Sequence, residues 1–94
     1  SAASDVYKRQ IKDNMFDVPP LFELIQSESD TDWKEMYKVF NMGHRMELYV
    51  DELIAEEIIA ISNSFNIDAK IIGRVEEASV KKLTIISDKG EFKY

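Results

Sequence analysis

The 94-residue sequence predicts an α+β fold, with helices packed on one face of a mixed, mostly antiparallel sheet. Three observations lead there. Apolar residues recur at helical spacing in three separate segments, runs rich in β-branched residues crowd the last third, and clusters of Pro, Gly, Ser, Asn and Asp divide one regime from the other. Helices and strands in that arrangement bury their apolar sides as two layers.

The first elements are helical. Pro19 and Pro20 open a first helix, because proline has a helix-compatible φ and the first turn does not need its missing N–H. Leu21, Leu24 and Ile25 give that helix an apolar stripe, and "SESDTD" supplies the break. A second helix is capped by Asp30 or Thr31, with Glu35 placed to close a capping box and Trp33, Met36, Tyr37 and Phe40 on one side. Arg45 to Val50 alternates with period two, Met46, Leu48 and Val50 against Arg45, Glu47 and Tyr49, which predicts a half-buried strand. Asp51 then caps "ELIAEEIIAISNSF", whose wide apolar face carries Leu53, Ile54, Ile58, Ile61 and Phe65. Its glutamates Glu52, Glu56 and Glu57 suit the positive end of the helix dipole. After "NID", the runs "AKIIGRVEEA" and "KKLTIIS" predict a hairpin turning at Ser79 to Lys81, and "GEFKY" a final strand. Gly73 inside the first run predicts a bulge or a close approach of another backbone.

Composition narrows the function. A chain with 45% hydrophobic and 32% charged residues forms a packed domain, and its length allows one. At this size about two-thirds of the surface is buried on folding, so a neighbouring domain or subunit would help it stand. A net charge of -6 with scattered basic residues argues against nucleic acid and against an anionic membrane as partners. The lack of cysteine excludes disulfides and thiolate metal sites. No apolar run approaches the ~20 residues of a membrane span and no secretion-signal pattern is present, so the expected setting is cytoplasmic.

Residues 1–10, "SAASDVYKRQ", share neither the hydrophobic pattern nor the acidic balance of the rest of the chain, and "DVYKRQ" looks like the translated end of a transposon adapter used in DNA library preparation. The expectation is a non-native segment at 1–10 and the protein proper from Ile11 to Tyr94. Without Asp5, Lys8 and Arg9 the chain has 10 basic and 17 acidic residues, a charge of -7, and the conclusions from charge stand.

Few constellations here can do chemistry. One histidine and no cysteine give no His-based metal cluster and no thiol nucleophile, and the three glycines are too far apart for a phosphate-binding loop. No catalytic residue and no metal ligand is therefore assigned. The turn "FNMGHR" remains. Asn41 offers donor and acceptor, Gly43 permits a close ligand approach, and His44 and Arg45 could face an anion. The competing reading makes Asn41 and Gly43 a helix C-cap, with His44 and Arg45 in solvent.

Taken together, "VPPLFELIQ", "EMYKVFNMG" and "IIGRVEE" resemble the C-terminal domain of phosphoribosylformylglycinamidine cyclo-ligase, also called aminoimidazole ribonucleotide synthetase, in order from Phe16 to Val75. The resemblance implies a two-domain enzyme of purine biosynthesis, of which this chain is the second domain. It implies use of ATP to activate the amide oxygen of formylglycinamidine ribonucleotide, followed by closure of the imidazole ring and release of ADP and phosphate. ATP and magnesium would be held mainly by the N-terminal domain, absent here, whose sheet also builds the homodimer. This chain alone would bind neither and would be inactive. The family's loop is typically Phe-Asn-x-Gly-x-Gly at the interdomain cleft, so Phe40, Asn41 and Gly43 inherit a place in the cleft for the nucleotide substrate. Arg45 stands at the second glycine. The alternative is a free-standing α+β module that binds a small ligand or docks a subunit without catalysis. The fragment reading further predicts an apolar patch including Trp33 or Phe40 for the missing domain to cover.

Overall fold

Two prolines set the start of helix α1 (Pro20–Ser29): Pro19 is its N-cap residue and Pro20 its first helical position. The computed structural model describes residues 7–94. Asp30 ends α1 in the left-handed conformation, its N–H returning to Gln26 O. Helix α2 (Trp33–Val39) is capped by Asp32, whose carboxylate accepts from Glu35 N at 2.9 Å, rather than by Asp30 or Thr31. Asp30 is occupied in closing α1, which moves the cap of α2 forward. Helix α3 (Glu52–Ser64) starts at Asp51 as predicted, though the Asp51 side chain makes no capping bond.

Among the described residues four strands form one sheet: β1 (Tyr7–Lys12), β2 (Gly73–Ala78), β3 (Lys82–Ser87) and β4 (Gly90–Lys93), in the order β2-β1-β3-β4. β1 pairs antiparallel with β2 and parallel with β3, while β3 and β4 form an antiparallel hairpin about Asp88 and Lys89. The fold class is thus α+β with a mixed, mostly antiparallel sheet. The predicted hairpin between "AKIIGRVEEA" and "KKLTIIS" does not form, because β1 sits between those two strands. The boundary expected at Ile11 falls inside β1, and residues 1–6 lie outside the described residues. Gly73 meets β1 as closely as its sequence context suggested: a Cβ there would lie 2.0 Å from Ile11 O.

Cross-strand partners share a face of the sheet. One face carries Arg9, Arg74 and Glu76, joined by ion pairs, with Asp13 bonded to Arg74 at 3.0 Å. The other carries Leu83 and Ile85 of β3 and Phe92 of β4, and α1 and α2 pack there. Met36, 1% exposed, and Tyr37 of α2 join Val18, Met42 and Ile85 as the buried core, with Phe22, Ile25, Trp33 and Phe40 around it. The α2 stripe is the predicted one. In α1, Leu21 and Leu24 are exposed, and Phe22 packs with Ile25 instead, because the helix is rotated to bring Phe22 onto Phe40.

The predicted strand from Arg45 to Val50 is an extended strap without ladder pairing. Its alternation is real, but β1, over which it runs, already has partners on both edges. Its polar row meets the sheet: Glu47 accepts from Lys12 Nζ at 2.9 Å, and Tyr49 Oη donates to Gln10 Oε1 at 3.1 Å. Its apolar row faces outward, with Met46 76% exposed. Helix α3 continues this surface. It buries none of its residues, and Leu53 is 84% and Phe65 72% exposed.

Candidate functional site

Helix α2 ends at Phe40, whose extended backbone (φ -111°, ψ 146°) breaks the helical course while its N–H still reaches Met36 O. The next four residues, Asn41 to His44, close a tight turn through His44 N–H to Asn41 O at 3.1 Å. Both central residues have positive φ, 54° at Met42 and 86° at Gly43, as in a type I′ turn. Asn41 Oδ1 accepts from Gly43 N–H at 3.2 Å, the local bond by which asparagine favours turns. Asn41 and Gly43 therefore form a turn of their own beyond the helix cap.

A methionine in the left-handed region costs about 1–2 kcal/mol unless its surroundings hold it there. Met42 is held by burial in the core. Gly43 is held from outside: a Cβ on it would stand 3.0 Å from Pro19 Cγ and 4.0 Å from a ring carbon of Phe22. Phe22 and Phe40 pack at 5.4 Å between ring centroids. The segments "VPPLF" and "FNMG", separated by 17 residues in the chain, thus build one wall. Gly43→Ala is expected to cost about 1–2 kcal/mol through its positive φ, with Pro19 adding to it, and a denaturant midpoint unchanged from that of the parent chain would refute this.

The candidate residues separate into two groups. Phe40 supports the turn, Asn41 and Gly43 lie exposed at its tip, and Arg45 is exposed beside them with no ion pair among the described residues. His44 turns the other way. Its side chain is 6% exposed, its Nδ1 lies 3.1 Å from Glu47 Oε1, and its ring meets Phe16 edge to face at 5.4 Å. Lys70 Nζ stands 4.6 Å over the Phe16 ring and donates to Met15 O at 3.1 Å. Burial acts to raise the Glu47 carboxyl, but the hydrogen bonds from Lys12 and His44 outweigh it and hold the group below the ordinary carboxylate value. Sequence reading missed Pro19, Phe22, Met42 and Glu47 as parts of this site. The three-residue spacing of His44 and Glu47 was the available signal for the last.

Among the described residues no three His, Cys, Asp or Glu side chains converge to hold a metal ion. A 260 Å³ depression beside Phe16 is lined by Asp13, Asp17 and Asp88 among others, with Asp13 paired to Arg74 and Asp88 to Lys89. No described helix is long and apolar enough to cross a membrane.

Comparison with known proteins places the chain in a family. The chain is 39% identical over 70 residues to a phosphoribosylformylglycinamidine cyclo-ligase of Staphylococcus carnosus, covering 74% of this chain and 20% of that protein. It is 39% identical over 75 residues to the Syntrophus aciditrophicus protein of that name, covering 80% and 22%. For the Methanococcus vannielii protein the figures are 42% over 65 residues, 69% and 19%. The chain thus spans about a fifth of the length of these relatives. Residues 9–86 match the family described as AIR synthase related protein, C-terminal domain, and the chain belongs to that family.

Proposed function

We propose that residues 11–94 are the C-terminal domain of a purine-biosynthesis cyclo-ligase, one that converts formylglycinamidine ribonucleotide and ATP to aminoimidazole ribonucleotide, ADP and phosphate in the cytoplasm. The observation that carries this reading is the wall formed by Pro19, Phe22 and Phe40 behind an exposed Asn41–Gly43 tip, in a chain that matches cyclo-ligases over a fifth of their length. In this reading Asn41 and the backbone at Gly43 border the nucleotide-substrate cleft, and Arg45 is the exposed cation nearest an incoming phosphate. ATP, magnesium and the dimer contacts belong to the N-terminal domain, so the chain alone is inactive.

The outward apolar row Met46, Leu48, Val50 and the bare face of α3 support the same reading. A surface of this kind on an isolated chain marks an interface. Its occupant here is the rest of the polypeptide, about four-fifths of a relative's length. Trp33 and Phe40, the expected members of such a patch, pack on the chain's own core instead.

The test is a chimera in which residues 11–94 replace the matching segment of the Staphylococcus carnosus cyclo-ligase. Ring-closing activity is expected in the chimera and none in the chain alone, and Asn41→Ala in the chimera is expected to raise KM about tenfold, equivalent to ~1.4 kcal/mol. The isolated chain is expected to bind an apolar dye, and the chimera much less. An inactive but folded chimera, with an isolated chain that unfolds cooperatively and binds no dye, would instead favour a free-standing ligand-binding or docking module.

A further inference from the structure

The chain's single histidine has a buried side chain, 6% exposed. Glu47 joins it to the sheet: Oε1 lies 3.1 Å from His44 Nδ1 and Oε2 accepts from Lys12 Nζ of the central strand at 2.9 Å. An ionised carboxylate only accepts hydrogen bonds, so Nδ1 carries a proton. The opposite nitrogen, Nε2, is buried and has no hydrogen-bond partner among the described residues. A proton there would be a desolvated donor with nothing to receive it, an arrangement rarer and costlier than a bare lone pair. The charged groups around the imidazole are Glu47 from the strap, Lys12 from β1 through Glu47, and Lys70 on the Phe16 ring.

We propose that His44 is a positioning residue: a neutral imidazole protonated at Nδ1, which fastens the Asn41–His44 turn to the central strand through Glu47 and Lys12. His44 N–H closes the turn and its side chain anchors it, so the left-handed pair Met42 and Gly43 is fixed from both ends. The linkage is a property of this chain. Its effect on a substrate rests on the reading of the turn as a cleft wall.

The test is a two-bond 1H–15N spectrum of the full chain at neutral pH, in which the lone histidine gives one unobscured pattern. A protonated Nδ1 and an unprotonated Nε2 are expected. Glu47→Ala should remove the acceptor that fixes the Nδ1 proton, change the ring's 15N pattern and shift the Met42 and Gly43 amides, and Lys12→Met should move the same amides less. An Nε2–H pattern in the parent chain overturns the proposal even if neither variant folds, and so do Gly43 amides unmoved in both variants. The expected pattern together with an inactive chimera would leave the linkage standing and remove the cleft reading.

Discussion

Gly73→Val is expected to abolish cooperative folding. A Cβ at this position would sit 2.0 Å from Ile11 O and 2.8 Å from Lys12 Cα, both backbone atoms of the neighbouring strand. Paired strand backbone cannot swing aside as a side-chain end can, so β1 and β2 would have to part at Lys12↔Gly73, the end pair of a register that runs to Tyr7↔Ala78. The loss is expected to be about 4–5 kcal/mol, at the upper end for single substitutions and comparable with the whole stability of a small domain. Urea titration followed by circular dichroism would read it, and a variant with a parental midpoint would refute the steric account.

Met36→Ala is expected to cost about 3 kcal/mol, since Met36 is enclosed between α2 and the sheet and its removal leaves a cavity. In a domain of this size that corresponds to a fall in Tm of roughly 10–20 °C. Leu53→Ala is the matched control: it also removes a large apolar side chain, from a place where it touches little, and is expected to change stability by about 0.5 kcal/mol or less. Equal losses in the two variants would mean that α3 is not bare.

Much of the fold could be read from local pattern. The α2 stripe of Trp33, Met36, Tyr37 and Phe40, the prolines of α1 and the β4 strand each arise from residues close in sequence, and Gly73 announced its tight contact by its place in a β-rich run. β1 could not be read that way. Its inward row is Lys8, Gln10 and Lys12, and its partners are β2 and β3, more than 60 positions later. The strap shows the converse: a sound strand pattern at Arg45–Val50 has no ladder to join, because pattern fixes which side chains share a face and does not supply a neighbour. At the site, Asn41 and Gly43 were legible as turn formers. The inward course of His44 was not, because Phe16, Glu47 and Lys12 reach it from three separate segments.

The placing of β1 between β2 and β3 also orders the assembly of the molecule. The β3–β4 hairpin joins neighbours and closes a short loop at small entropic cost, whereas Tyr7 must find Ala78 about 70 positions away and Arg9 must find Lys82. Contacts of such long range slow the search for the native state. The two strands that flank β1 are joined by only three residues, Ser79 to Lys81. By the measure of loop closure, the two ladders of β1 are the costliest in the sheet to close and the β3–β4 hairpin the least costly.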